Sequence, residues 1–96
     1  MIQSFADTAS AGLFHGTDSK AARAFNKAVW PVIRRKLDLL NAATTLGDLR
    51  SPPSNRLEAL KRNQKGRHSI RINDQCRVKF RFENGHAYEV RCEDYR

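Results

Sequence analysis

The sequence predicts an α+β fold, in which helices come first and a run of antiparallel strands follows. Apolar residues recur at helical spacing from Phe25 to Leu40, and from about residue 56 onward apolar and basic residues alternate in short runs. Helices followed by consecutive antiparallel strands are typical of the α+β class. The 96 residues, 40% hydrophobic and 29% charged, predict one globular domain over residues 1–96.

The N-terminal part predicts a short strand followed by a short helix. Residues 1–5 are expected to form the strand. Asp7 or Thr8 is expected to cap a helix that ends near Phe14, because His15-Gly16 is a typical stop signal.

A longer helical pattern follows, from an expected N-cap at residues 17–19 to about Ala43. Pro31 lies inside this pattern and predicts either a helical hairpin or a kinked long helix, because proline disrupts a helix interior. Residues 44–55 contain one glycine and two prolines and predict an ordered connector.

Four strands are expected at residues 56–61, 67–72, 75–82 and 87–93. Opposed residues share a face of a sheet, so a dry face requires three apolar pairs. These are Val78–Cys92, Phe80–Val90 and Phe82–Tyr88. Such pairs favour an odd-length loop with a bulge at Gly85 over a two-residue Asn84-Gly85 turn.

The same register makes the other face cationic and sets Arg71 opposite Arg77. Two opposed arginines destabilise a sheet by roughly a few tenths of a kcal/mol, which a bound anion would offset. The net charge of +8 also favours a polyanionic partner. We therefore expect a phosphate-binding surface; the alternative is a solvated face on which Glu89 and Glu93 neutralise the arginines.

Several chemistries are not expected. Cys76 and Cys92 are too few for a disulfide framework or a zinc site, and both are expected to be buried thiols. The sequence has no glycine-rich phosphate loop, no nucleophile elbow and no convincing two-metal carboxylate set, so neither a metal nor a cofactor is expected. It also lacks a signal pattern and a membrane-length apolar run, which predicts a cytoplasmic protein without a membrane partner.

The remaining polar residues suit metal-independent RNA cleavage. In that reaction the ribose 2′-OH attacks the adjacent phosphate, a base accepts its proton, cations stabilise the phosphorane and an acid protonates the leaving 5′-oxygen. Arginines are suited to the phosphorane. Asp94 is a candidate base, and Tyr95 a candidate to orient RNA, stack on a base or donate a proton. His68 is expected to pack on the apolar side of its strand.

Three stretches, residues 40–61, 69–78 and 94–95, resemble the HigB branch of the RelE toxin superfamily, also called plasmid maintenance killer proteins. The resemblance implies a RelE-like fold, with N-terminal helices packed on a twisted antiparallel sheet of about four to five strands. It implies a type II toxin that cuts mRNA on the ribosome. A HigA-type antitoxin with a helix-turn-helix domain is expected to neutralise it, and the complex to bind operator DNA.

The resemblance also assigns residues. It implies catalytic roles for Arg71, Arg77, Asp94 and Tyr95, with RNA contacts by Lys61 and Arg67. Lys79 and Arg91 on the cationic face are further expected RNA contacts.

Two residues depart from the family pattern: Cys76 stands where the family has tryptophan, and Arg96 where it ends in histidine. An arginine cannot act as a base at useful pH, so Arg96 is expected to steady the phosphate. The alternative function is therefore an attenuated or non-cleaving translation inhibitor that binds ribosome or RNA.

Overall fold

The computed structural model describes residues 1–16, 20–60 and 66–94 and has two helices packed on a four-stranded antiparallel sheet. The predicted α+β class is confirmed. The elements in chain order are α1 (Thr8–His15), α2 (Trp30–Ala42), β1 (Glu58–Ala59), β2 (Arg67–Arg71), β3 (Cys76–Glu83) and β4 (His86–Asp94). The strand order in the sheet is β1-β2-β3-β4. The N-cap predicted at residues 17–19 lies outside the described residues.

Helix α1 begins and ends where the sequence predicts. The Asp7 carboxylate accepts a hydrogen bond from the Ser10 backbone N–H at 2.8 Å, which satisfies one donor of the first turn. Gly16 ends the helix with a φ of 75°, a conformation that favours glycine. The buried Ser10 hydroxyl accepts from the Cys92 backbone N–H at 2.9 Å and so ties α1 to β4.

The long helix predicted from residues 17–19 to about Ala43 is confirmed only in its second part. Two short 3₁₀ turns, Ala22–Ala24 and Lys27–Val29, occupy its first part, and α2 begins at Trp30. Pro31 lies in the first turn of α2, where its missing N–H has no helical partner to lose. Proline therefore starts a helix here instead of kinking one. The end at Ala42 agrees with the predicted end near Ala43.

The predicted ordered connector is confirmed. It consists of two 3₁₀ turns, Leu46–Arg50 and Pro53–Asn55. Thr45 and Asp48 form a reciprocal capping box at the start of the first turn. The fully buried Asn55 amide donates to the carbonyl oxygens of Leu49 at 3.1 Å and Ser51 at 3.3 Å, which holds the connector against the core.

The predicted register is confirmed over most of the sheet. Ile70 opposes Val78, Val78 opposes Cys92, and Arg71 opposes Arg77. The predicted odd-length loop is wrong, because Glu83 opposes His86 and leaves a two-residue Asn84-Gly85 turn. Asn84 and Gly85 have φ angles of 51° and 79°, as a type I′ turn requires.

The extra residue lies inside β4 instead of in the loop. Lys79 opposes Arg91 and Arg81 opposes Tyr88, so β4 has one residue more than β3 between these pairs. Glu89 lies in this bulge with a φ of 52°. The predicted Phe82–Tyr88 pair is therefore wrong: Phe82 opposes Ala87.

The N-terminal segment runs parallel to β4 and forms two isolated bridges, Ile2 with Ala87 and Phe5 with Val90. The short strand predicted at residues 1–5 is thus reduced to two isolated parallel bridges beside β4. The core lies between the helices and the inner face of the sheet. Its largest fully buried apolar side chains are Leu13, Ile33, Leu37, Leu40, Leu49, Ile70, Val78, Phe80 and Val90.

Within the described ranges, neither helix has the length and apolar character to cross a membrane.

Candidate nucleic-acid interface

The basic residues of the sheet lie on the face turned away from the core. Val78 and Phe80 of the central strand β3 are fully buried, and strand alternation places Arg77, Lys79 and Arg81 on the opposite side. All three are half-buried between neighbouring strands. We call this surface the polar sheet face.

Cross-strand rows arrange the predicted site residues. In one row Arg71 of β2 opposes Arg77, which opposes Glu93 of β4. In the next row Lys79 lies between Ser69 and Arg91. Arg67 opposes Arg81 in a third row. The register thus brings five of the predicted catalytic and RNA-binding residues together. They are Arg67, Arg71, Arg77, Lys79 and Arg91.

A hollow of about 270 Å³ on the polar sheet face is lined by the three described residues predicted to bind RNA, Arg67, Lys79 and Arg91. Ala6, Glu89 and Glu93 complete its lining. Glu93 lies 2.8 Å from Lys79 and 3.7 Å from Arg91. The hollow therefore combines a convergent set of cations with carboxylates that an incoming phosphate has to displace.

Glu89 shows how strongly these charges interact. A hydrogen bond and the charge of Arg67, helped by the charge of Arg81, hold the pKa of the exposed Glu89 carboxyl below its usual range. The alternative reading of this face, with Glu89 and Glu93 neutralising the cations, is right in part. These carboxylates pair with Arg67, Arg81, Lys79 and Arg91, and not with the opposed pair Arg71 and Arg77.

The opposed pair Arg71 and Arg77 finds its carboxylates elsewhere. Arg77 donates to the Ser69 hydroxyl at 3.1 Å and to the Arg56 carbonyl oxygen at 3.2 Å, and lies 3.5 Å from Glu58. Arg71 pairs with Asp74, whose side chain is 94% exposed. Arg77 is thus fixed in place, whereas a phosphate can replace Asp74, the exposed partner of Arg71, at little cost.

Asp94 belongs to the other face of the sheet from Arg71 and Arg77. It opposes Cys76 across β3 and β4, and Cys76 is buried in the core. Opposed residues share a face, so the half-buried Asp94 is on the core side of the sheet at the end of β4. The predicted site residues Lys61, Tyr95 and Arg96 lie outside the described residues.

The polar sheet face also carries an aromatic residue, Tyr88, that the sequence did not predict there. Tyr88 opposes Arg81, whose guanidinium carbon lies 4.6 Å from the centre of the tyrosine ring. Alternation alone assigns Tyr88 to the core, since the bulge at Glu89 reverses the pattern before it. Arg81 was detectable, because it follows the same alternation as Arg77 and Lys79.

His68 and the two cysteines are packing residues. His68 opposes Phe80 and stacks on it with ring centroids 6.2 Å apart, as predicted. Cys76 and Cys92 are buried free thiols, and burial raises the pKa of Cys92 to about 12. Across the described part of the chain, no group of three or more histidine, cysteine or carboxylate residues is placed to hold a metal ion.

Comparison with known proteins identifies the family. Residues 3–95 match the family model described as the RelE-like toxin of type II toxin–antitoxin system HigB. The fold is also similar to a chain of the YoeB-YefM complex from Staphylococcus aureus, with a TM-score of 0.62 and 17% identity over 100% of this chain and 99% of that one. At this identity the likeness supports the fold alone.

Two relatives are closer in sequence. Toxin HigB-1 of Vibrio cholerae serotype O1 is 43% identical over 70 residues, which cover 73% of this chain and 74% of that protein. An uncharacterised protein of Haemophilus influenzae is 43% identical over 56 residues, which cover 58% of this chain and 55% of that protein. With a family match over almost its whole length and a named relative at this identity, the chain belongs to the HigB family of RelE-like toxins of type II toxin–antitoxin systems.

Proposed function

We propose that this toxin is a metal-independent endoribonuclease that cuts mRNA on the ribosome and so inhibits translation. The observation that carries the proposal is the convergence of Arg67, Lys79 and Arg91 around one hollow, beside the opposed pair Arg71 and Arg77. Cations so arranged suit a ribose–phosphate backbone, whose negative charge dominates nucleic-acid affinity.

In the proposed reaction the ribose 2′-oxygen forms a bond to the adjacent phosphorus and the bond from phosphorus to the 5′-oxygen breaks. Arg77, already held by Ser69 and the Arg56 carbonyl, stabilises the charge that develops on the phosphorane. Arg71 exchanges Asp74 for the phosphate. The products are a 2′,3′-cyclic phosphate and a free 5′-hydroxyl.

Proton transfer is assigned to Tyr95 ahead of Asp94. The position of Asp94 opposite the buried Cys76 separates its carboxylate from the arginine row. The phenolate form of Tyr95 can accept the 2′-OH proton, and the phenol so formed can donate that proton to the leaving 5′-oxygen. Arg96 is assigned to the phosphate, because its guanidinium stays charged throughout the useful pH range.

We infer that a HigA-type antitoxin with a helix-turn-helix domain neutralises the toxin and that their complex binds operator DNA. The family match to type II systems supports an antitoxin partner.

The proposal is tested by mapping RNA 5′ ends in cells after brief induction of the native toxin, Arg77→Ala and Arg50→Ala. The native chain is expected to leave new 5′-hydroxyl ends within translated codons. Arg77→Ala is expected to lose most of them, and the exposed Arg50, outside the polar sheet face, is the matched control. Translation arrest without new ends would contradict cleavage and support the alternative, a non-cleaving inhibitor that binds ribosome or RNA.

A further inference from the structure

A second hollow lies apart from the polar sheet face, between α2 and the connector. It has a volume of about 400 Å³. Its lining residues are Val32, Arg35, Lys36 and Leu39 of α2, Pro52 and Ser54 of the connector, and Ile72 after β2. Its charged lining residues are both cations, and Ser54 adds a hydroxyl. None of the catalytic or RNA-binding residues predicted from the sequence lines this hollow.

Lys36 is held in place at the edge of this hollow. Its ammonium group donates to the side-chain oxygen of Asn55, which is fully buried and anchored by two carbonyl oxygens of the connector. Lys36 is half-buried. A lysine is a flexible side chain that loses much rotamer freedom when ordered, so this fixed position preorganises its charge.

The charges around Lys36 are of one sign. Burial lowers the pKa of Lys36 below its ordinary value, and the positive charges of Arg35 and Arg71 lower it further. On the polar sheet face, every described arginine and lysine pairs with a carboxylate. Among the described residues, by contrast, neither Arg35 nor Lys36 forms an ion pair with a carboxylate. A bound anion would relieve this repulsion.

We propose that the hollow between α2 and the connector is a phosphate-binding subsite formed by Arg35, Lys36 and Ser54. The planar guanidinium of Arg35 is suited to two phosphate oxygens, and Lys36 supplies a point charge. The Ser54 hydroxyl is able to donate a third bond. The bound group is either a free phosphate ion or a phosphodiester of an RNA chain.

The RNA phosphodiester as the bound group rests on the proposed function. Ile72 of the hollow directly follows Arg71, and the charge of Arg71 acts on Lys36. An RNA chain with one phosphate at Arg71 and Arg77 would therefore place a neighbouring phosphate near this hollow. In that role the subsite positions the substrate and does not touch the reacting atoms.

The experiment is an NMR titration of the isolated, isotopically labelled toxin with inorganic phosphate at constant ionic strength, maintained with chloride. Amide shifts are expected to cluster at residues 32–39, 52–54 and 72. Arg35→Gln should weaken binding at these signals by about tenfold, as for the loss of one charge-assisted hydrogen bond. Arg34→Gln is the matched control, since Arg34 is an exposed arginine on the same helix that lines a different groove.

Lys36→Met tests the second cation of the subsite. If Lys36→Met unfolds because it loses the Asn55 contact, Arg35→Gln still tests the proposal. A second titration uses a short 2′-O-methyl RNA, which cannot be cleaved. Shifts at the same residues with this RNA identify an RNA subsite, whereas shifts with phosphate alone restrict the site to the free ion. No shifts at residues 32–39, or equal affinities for Arg35→Gln and Arg34→Gln, would overturn the proposal whether or not the toxin cleaves RNA.

Discussion

Arg71 and Arg77 face each other, yet the structure holds them differently. Arg77 has three described partners, the Ser69 hydroxyl, the Arg56 carbonyl oxygen and Glu58. Arg71 has the almost fully exposed Asp74. An arginine fixed by several bonds is preorganised for an oxyanion, whereas an arginine with a solvated partner can change partners when substrate arrives. The two residues should therefore separate a stability effect from a binding effect.

We expect Arg71→Ala to change the free energy of unfolding by less than about 0.5 kcal/mol, as for loss of a surface ion pair. Arg77→Ala is expected to lower it by about 1 kcal/mol, because it loses two hydrogen bonds while relieving a like-charge pair. Both variants should lose at least about tenfold in cleavage of ribosome-bound mRNA. Urea unfolding and single-turnover cleavage measure the two effects. If both variants cleave at the native rate, the arginine pair is not part of the site.

Among the strands, the bulge in β4 determines which of its residues lie on the polar sheet face. It allows a two-residue turn and still keeps Val78, Phe80 and Val90 in the core. It does so by adding Glu89 at a φ of 52°. A residue with a side chain in this conformation is strained by roughly 1–2 kcal/mol relative to ordinary backbone.

This strain predicts a difference between two substitutions. Glu89→Gly relieves it but loses the ion pairs with Arg67 and Arg81, so its net effect on stability should stay within about 1 kcal/mol. Glu89→Val loses the same pairs and adds a β-branched side chain at positive φ. It should therefore be at least about 1 kcal/mol less stable than Glu89→Gly. The measurement is chemical denaturation of both variants, and equal stabilities would rule out backbone strain at this bulge.

The bulge also marks the limit of what the sequence could predict. Apolar alternation predicted four strands, of which the first is shorter than expected, and the register from Ile70 to Cys92. The His15-Gly16 stop signal predicted the end of α1, and helical spacing predicted the end of α2 near Ala42. The alternation indicated that one extra residue was needed near the hairpin. It could not say where, because Gly85 and Glu89 both satisfy the pattern and only Gly85 is a usual bulge residue.

The candidate site was predictable to the same degree. Residues on regular strands, such as Arg71, Arg77 and Lys79, could be placed by counting alternate positions. Tyr88 was misplaced because it lies beyond the bulge. The hollow at Arg35 and Lys36 had no sequence signal, because it depends on the packing of a connector against α2.

The whole molecule carries a net charge of +8, distributed unevenly. The described ion pairs of the polar sheet face join six basic and six acidic side chains, which cancel formally. The full net charge therefore falls on the rest of the chain, including α2, whose three basic residues outnumber its one aspartate. Long-range attraction to a polyanion thus comes mainly from outside the polar sheet face.

Ribosome binding should consequently weaken steeply as salt rises, because each phosphate contact releases counterions. If the toxin neutralises about six phosphates, affinity should fall roughly a thousandfold between 50 and 200 mM salt. Sedimentation of the toxin with ribosomes over this range measures the slope. Affinity that stays constant across it would show that charge does not drive the encounter.

The pairing of the N-terminal segment with β4 has a consequence for synthesis. Ser4 accepts a hydrogen bond from the Glu89 backbone N–H across 85 residues of sequence, and Phe5 bridges to Val90. At about 5–20 residues per second, a ribosome needs roughly 4–17 s to make the chain between them. For those seconds the first residues lack their partner strand β4, and the backbone groups that pair with β4 stay unpaired. The N-terminal segment therefore cannot pair until translation, the process that we propose this toxin inhibits, has reached β4.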